Sequence, residues 1–365
     1  MATQVTNYQC PACTGPLHFS SDSGRLQCDH CGESFEVAYI EQYYAAKEQA
    51  AAAAGTETSW ENDLAGSEWS EEEAAHMRAY SCPSCGAQIV CDENTAATSC
   101  PYCDNPTVVP GQFTGMLRPD FVIPFKLDKE AAKAALKKYY RGKKLLPGSF
   151  SAENHIEELK GIYVPFWLFN GVSAANISYH ATKSHSYRTG NQQVTVTEHY
   201  KLLRSGNVTF EKVPVDGSSK MPDAHMDAIE PFDYAGLAPF STAYLPGFLA
   251  DKYDVPAAEC NARADKRIRV STEDCFASTV KGYASVAAES SNIVINHGEV
   301  KYAMFPVWML NTKWRNKSFL FAMNGQTGKL IGDLPVSPGK FLLWFACIAA
   351  PLMVVLGILM YGGGA

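Results

Sequence analysis

The sequence lacks a surplus of positive charge: 31 Lys and Arg stand against 38 Asp and Glu, a formal net charge of −7. A chain whose main task is to neutralise nucleic-acid phosphates carries the opposite bias, so nucleic acid is not the expected partner. It also lacks the Gly-x-Gly-x-x-Gly fingerprint of dinucleotide sites. Gly325-Gln326-Thr327-Gly328-Lys329 only approaches a phosphate loop, because Met323 stands where a further glycine is needed and Leu330 replaces the Ser or Thr after the lysine. A β-turn suits that stretch better. No Ser/His/Asp or Cys/His set can be picked out by spacing, so no catalytic residue is assigned and the chain is not read as an enzyme. The first residues, Met1-Ala2-Thr3-Gln4, have neither the basic nor the apolar region of a signal peptide, which places the N-terminal part in the cytoplasm with reduced thiols.

Cysteine is plentiful. Eight of the twelve form two copies of one pattern, Cys10-x2-Cys13 with Cys28-x2-Cys31 and Cys82-x2-Cys85 with Cys100-x2-Cys103, each with a spacer of 14 residues. Two thiolates three positions apart on a tight turn converge on one metal, and a returning hairpin completes the tetrahedron. Pro11, Pro83 and Pro101 stiffen three of the turns, while Gly32 and Gly86 can supply the positive φ that such turns need. Leu17-His18-Phe19 and Arg25-Leu26-Gln27 read as the first hairpin. The pattern predicts two zinc ribbons and two Zn2+ ions, with disulfides or an iron–sulfur site as competing readings. Both sites look closed, so the metal is expected to staple structure and not to activate water. His30 is a bystander, and Cys91, Cys260, Cys275 and Cys347 are expected to be small packing residues.

Long charged runs are missing from the far end. From Phe341 to Tyr361 no charged residue occurs, about the ~20 residues that cross a bilayer core. Pro351 is tolerable in a membrane helix, and Trp344 and Tyr361 fall where interfacial rings are favoured. Arg315, Lys317, Lys329 and Lys340 precede the run, so the positive-inside bias keeps the preceding chain cytoplasmic, as a single-pass protein of the cell inner membrane.

The rest is α+β. The expected segments are zinc ribbon 1 at 1–36, a helix and acidic linker at 37–78, zinc ribbon 2 at 79–108, a β-rich α+β body at 109–339 and one C-terminal transmembrane helix at 340–361. Val37 to Ala54 reads as a helix with Val37, Ile40 and Tyr44 on its apolar stripe. Residues 55–70 read as a flexible linker, followed by a capping box at Ser70-Glu71-Glu72-Glu73; from Glu57 to Glu73 there is no Lys or Arg. Asp128 caps an amphipathic helix to Arg141 with Ala132, Ala135, Leu136 and Tyr139 or Tyr140 inward. Its other face and the next loop carry Lys129, Lys133, Lys137, Lys138, Arg141, Lys143 and Lys144, which make a solvated face, a contact for anionic lipid through Lys129, Lys133, Lys137, Lys138 and Lys144 or, least favoured, a nucleic-acid contact. Val164-Pro165-Phe166-Trp167-Leu168-Phe169-Asn170 is echoed by Phe305-Pro306-Val307-Trp308-Met309-Leu310-Asn311, which predicts an internal duplication of short apolar strands. Residues 244–253 and 256–270 read as helical, with strands near 276–288, 292–296 and 300–310. Asp223, Asp227, Glu230 and Asp233 with His225 follow no ligand-loop pattern and are not assigned to a cation.

Val215-Asp216-Gly217, Met226 to Tyr234, Tyr244-Leu245-Pro246-Gly247-Phe248 and Asn324 to Leu330 resemble the bacterial membrane proteins with a transcription-factor-IIB-type zinc ribbon, over nearly the whole chain from Cys82 onward. Members are often labelled primosomal replication-restart helicase-like, a label this chain does not suit because it has no phosphate loop and is too short for paired motor domains. The resemblance implies a membrane adaptor near phage-shock-type and SPFH-type proteins of an envelope stress response. Two functions are therefore carried forward: an adaptor that recruits protein partners to the inner membrane, and a nucleic-acid-binding zinc-ribbon protein of replication or transcription. Hairpins that grip nucleic acid show Lys and Arg along their strands, whereas Arg25 is nearly alone here, which favours the adaptor.

Overall fold

A computed structural model describes residues 8, 10–12, 16–20, 23–53, 58–95, 97, 99–106, 108–111, 116–153, 156–190, 192–315 and 317–362. The elements in chain order begin with the strands β1 (Leu17–Ser20), β2 (Arg25–Cys28) and β3 (Ser34–Phe35) and the helices α1 (Val37–Ala53) and α2 (Glu71–Ala75). There follow β4 (Met77–Ser81), β5 (Gln88–Asp92), β6 (Val109–Gly111), β7 (Phe121–Val122), α3 (Lys129–Tyr140) and α4 (Gly148–Glu153). The second half holds β8 (Lys160–Thr189), β9 (Gln192–Asp216), α5 (Asp223–Ile229), β10 (Ala238–Pro239), β11 (Leu249–Asp251), α6 (Ala257–Ala277), β12 (Ser285–Trp314), β13 (Lys317–Asn324), β14 (Leu330–Gly332) and α7 (Pro338–Gly362). The chain is thus α+β with a β-rich body, and it groups into two units, each discontinuous in sequence.

The first unit comprises residues 1–64, 168–215 and 257–300. Its N-terminal part is a small sheet in which β1 and β2 pair antiparallel from Leu17↔Cys28 to Ser20↔Arg25. Leu17, Leu26, Cys10 and Cys28 are buried there with Ile40 of α1, and Val37 and Tyr44 pack alongside, so the expected stripe of α1 does face a core. The remainder is formed by the later half of β8, by β9, by the earlier half of β12 and by α6. Cys260, Ala264, Ile268, Thr272 and Phe276 recur every fourth residue of α6 and are all buried, the spacing that keeps one helix face inward.

The second unit comprises residues 65–167, 216–256 and 301–365. Its strand order is β10-β7-β12-β8-β11-β5-β4-β6, with β13 pairing β12 and β14 pairing β13. The core is aromatic: Phe125 stacks on Phe248 with ring centres 4.1 Å apart, and both meet Trp308 edge-on. Asp128 caps α3 by accepting from the Ala131 amide, and Ala132, Leu136 and Tyr140 are buried, as the amphipathic pattern predicts. Lys133, assigned from sequence to the exposed basic face, is instead buried and its ammonium lies 2.8 Å from Glu130. A lysine at that position keeps its charge by pairing within one helical turn.

Other expectations are corrected. The acidic stretch is no flexible linker among its described residues. Trp60 is buried, meets Phe169 edge-on with ring centres 4.9 Å apart and donates to Asp265 at 3.1 Å, while Glu61 bridges to Glu299. Ser67 bridges to Arg118, whose guanidinium grips Glu73 at 3.1 Å, and Trp69 meets Phe240 edge-on. Two tryptophans outweigh an acidic composition, because each brings a large apolar ring to pack against another aromatic side chain. Residues 244–253 are not helical: Pro246 and Gly247, with φ of 83°, stop a helix, and Leu249–Asp251 is strand β11. The strands expected near 276–288, 292–296 and 300–310 are the end of α6 and one 30-residue strand, β12. The two echoed apolar heptads likewise lie inside the 30-residue strands β8 and β12, each followed by its own partner, β9 and β13.

The C-terminal helix is a separate matter. Phe341, Leu342, Leu343, Phe345, Ile348 and Met353 are all more than half exposed, and the stretch Pro338–Leu356 is long and apolar enough to span a membrane with none of it buried.

Replacing Trp60 with Ala removes a buried ring from its partners in the first unit and is expected to cost about 3–5 kcal/mol. Urea unfolding of the full chain in detergent checks this; an unchanged midpoint would mean that the segment is loosely attached after all.

Candidate metal centres

Four cysteines converge in the second unit. The sulfurs of Cys82 and Cys103 are 3.6 Å apart and those of Cys85 and Cys100 3.5 Å, and all four lie within 4.8 Å of one another. Sulfurs at the corners of a tetrahedron with ~2.3 Å metal–sulfur bonds are about 3.8 Å apart, so one ion fits between them. In the first unit Cys10, Cys28 and Cys31 form a second group, with Cys10 and Cys31 sulfurs 3.6 Å apart. Cys13, expected to be the fourth ligand there, lies outside the described residues. The two clusters could each bind a metal ion.

The knuckles share one backbone device. The amides of Gly32, Gly86 and Asp104 bond back to the carbonyls of Cys28, Cys82 and Cys100 at 2.9–3.0 Å, and these three residues take φ of 77°, 73° and 57°. Gly32 and Gly86 were legible as positive-φ positions. Asp104 was not read, although it follows Cys103 just as the glycines follow their cysteines, and Asp is among the few other residues that tolerate this conformation. Asp104 also faces the Lys160 ammonium at 3.8 Å.

The four thiols are unequal. Burial works against the Cys82 thiolate, but the amides of Cys85 and Ser84 and the neighbouring thiols outweigh it and bring the group down to about 7. Asn105 also donates to its sulfur at 3.9 Å. Burial pushes Cys85 and Cys100 up. A bound cation reverses that cost, since metal binding displaces the protons. Away from the clusters, Cys91 and Cys260 are buried packing residues, and burial pushes Cys91 up to about 11. Cys275 and Cys347 are exposed, contrary to the packing role expected of them.

The second cluster is built into its unit. β5, the return strand of its hairpin, pairs antiparallel with β11 through Val90↔Ala250 and Ile89↔Asp251, and β11 pairs parallel with β8. Tyr102, between Cys100 and Cys103, is buried; its carbonyl accepts from Asn311, and the Lys160 ammonium bonds to Ser99. The Tyr102 phenol faces the fully buried Asp251, whose Oδ2 accepts from the Ser218 hydroxyl at 2.6 Å. Burial pushes the Asp251 carboxyl up from 3.8 to about 7, against the hydrogen bond from Ser218 and the opposing influence of the nearby Tyr102 phenol. Tyr102, Ser218 and Asp251 carried no sequence signal, and Asn311 only ended an echoed heptad, because their roles arise from segments brought together only by the sheet.

The profile of the Trm112p-like protein family matches residues 9–37, which hold the first cluster and β1 to β3. Over 362 residues, 99% of each chain, the sequence is 34% identical to the uncharacterized protein YdjG of Bacillus subtilis (strain 168). The chain belongs to the YdjG family. The Trm112p-like match lies at the N-terminus, over the first cluster, whereas the resemblance read from sequence rested on residues from Cys82 onward. No solved structure matches. The stretches that carried that resemblance do meet in the second unit: Asn324 donates to the carbonyls of Ile229 and Pro231, and Gln326 exchanges bonds with the backbone of Asp233. The acidic set around His225 forms no metal-ligand group among the described residues, and Asp233 instead pairs with Lys126 at 3.1 Å.

Replacing Cys100 with Ser is expected to abolish metal binding at the second cluster and to lower the melting temperature of the whole second unit. Replacing Cys28 is expected to loosen only the small sheet at the N-terminus. Limited proteolysis with fragment mapping separates the two outcomes.

Asp251 gives a pH prediction. Between pH 3.8 and about 7 the folded protein keeps a proton that the unfolded chain has released. Its stabilising contribution is therefore complete below that window and falls as pH rises through it. Asp251→Asn removes this fall, so the stability difference between wild type and variant should shift in the variant's favour as pH rises across the window.

Proposed function

We propose that the chain is a membrane-anchored zinc protein of the inner membrane, facing the cytoplasm, that recruits protein partners. The observation that carries the reading is the exposed apolar surface of α7, joined to β14 by the short segment 333–337. Ser337 donates its amide to the Leu145 carbonyl, and the Lys340 ammonium bonds to the Leu146 carbonyl at 2.7 Å, so the helix begins against the loop after α3. An uncovered helix of this kind would be driven out of water into a bilayer core.

The metal sites suit zinc. Thiolate sets at tetrahedral spacing are its structural chemistry, and four sulfurs leave no position for water, which supports a binding role over an enzymatic one. A duplicated β-rich unit would account for the two echoed heptads and their paired strands. Lys129, Lys137, Lys138 and Lys144 are exposed, and Lys144 sits 4.1 Å over the Trp344 ring at the start of the span, where an anionic leaflet would attract it. The resemblance supports phage-shock-type or SPFH-type proteins as the partners to look for.

The test has two parts. Metal analysis of the purified full chain should find two zinc ions per chain, and protease added to intact spheroplasts should spare residues 1–339. Affinity purification after detergent extraction should then recover membrane or cytosolic proteins. Recovery of nucleic acid, lost when the first hairpin is mutated, would favour the nucleic-acid reading instead.

A further inference from the structure

A second feature lies where α7 enters the second unit. A cavity of ≈470 Å³ is bounded by the last turn of α3, the loop after it and the first turn of α7. Four cations line it, Lys137, Arg141, Lys143 and Lys340, and no carboxylate does among the described residues. Tyr140, Leu146 and Pro147 are buried and make its apolar floor.

The cations are not equivalent. The Lys340 ammonium is fixed on the Leu146 carbonyl, and that of Lys143 sits 4.6 Å over the Tyr139 ring. Lys137 and Arg141 are exposed and have no ion-pair partner among the described residues. Gathering four like charges around one concavity is unfavourable unless an anion joins them. A guanidinium beside ammonium groups is the donor set that binds phosphate oxygens, with Arg able to use two parallel bonds.

Position decides which phosphate. Lys340 immediately precedes the apolar run, and Phe341, Leu342 and Phe345 are exposed just beyond it. A headgroup held at the level of Lys340 would leave its acyl chains lying along α7. Lys144 over Trp344 marks the same level as an interface, where aromatic rings collect.

We propose that this cavity binds the phosphate headgroup of an anionic phospholipid of the cytoplasmic leaflet, a site that rests on the membrane-anchored reading and gives it a lipid preference. Arg141 and Lys137 hold the phosphate, and Lys340 fixes its depth.

The experiment uses the detergent-purified, delipidated full chain, titrated with phosphatidylglycerol and phosphatidylcholine and read by native mass spectrometry. Lys281→Gln serves as the control, because Lys281 is exposed between α6 and β12 and does not line the cavity. Wild type and the control should prefer phosphatidylglycerol. The double variant Lys137→Gln with Arg141→Gln should bind it about thirtyfold more weakly, with phosphatidylcholine binding and metal content unchanged. Equal phosphatidylglycerol binding by the double variant would overturn the proposal. Displacement of the lipid by inorganic phosphate at matching concentration would reassign the cavity to a free anion, and displacement by a DNA duplex at the same salt would reassign it to nucleic acid; either overturns it. Anchoring is read separately, by alkaline extraction of membranes. Release of wild type would defeat the membrane reading itself, whereas retention without lipid preference would defeat this inference alone.

Discussion

The structure of the second unit depends on four thiols being held within one another's reach while their hairpin is also a part of the sheet. Cys82 and Cys85 precede β5, and Cys100 and Cys103 follow it, so the strand between the two knuckles is the strand that pairs with β11. Moving either knuckle moves β5. The sulfurs, paired at 3.5–3.6 Å, would repel one another as thiolates and are costly to bury, so a cation at their centre would make the arrangement favourable. In a free ribbon that stabilisation would stay within some thirty residues of chain. Here it would reach β11 and, through β11, β8.

The contacts around Tyr102 extend the same constraint. A buried phenol, a buried carboxyl and the Ser218 hydroxyl meet beneath the knuckle, with Lys160 and Asp104 at its side. Each would be expensive to bury alone, and together they fix the orientation of the second pair of cysteines. Among the described residues the first cluster has a smaller setting: its neighbours are β1, β2 and one face of α1, a core of few residues for which a bound metal would be the main support. Two identical spacings in sequence therefore serve centres of different consequence.

Much of this was legible. The cysteine spacing gave both clusters, the turn glycines and the first hairpin, because a metal knuckle is a local structure with fixed distances. The caps Ser70 and Asp128 were readable for the same reason: each acts on an amide three residues away. The apolar end gave α7, since length and absence of charge suffice. What failed was non-local. β11 was read as helix because three residues cannot announce a strand; its neighbours β5 and β8 make it one. Trp60 was hidden in an acidic stretch, and its value lies in Phe169 and Asp265, more than a hundred residues away. Lys133 looked like its neighbours in the basic run, and only its place on the inner side of α3 sets it apart.

A metal held by the second cluster would support the sheet of its unit as well as its own hairpin. Hydrogen exchange of the full chain, measured by mass spectrometry before and after treatment with a chelator, distinguishes this from a purely local role. Protection should be lost along β5, β11 and the first residues of β8 together. Protection lost only between Cys82 and Cys103, with β11 and β8 unchanged, would contradict it.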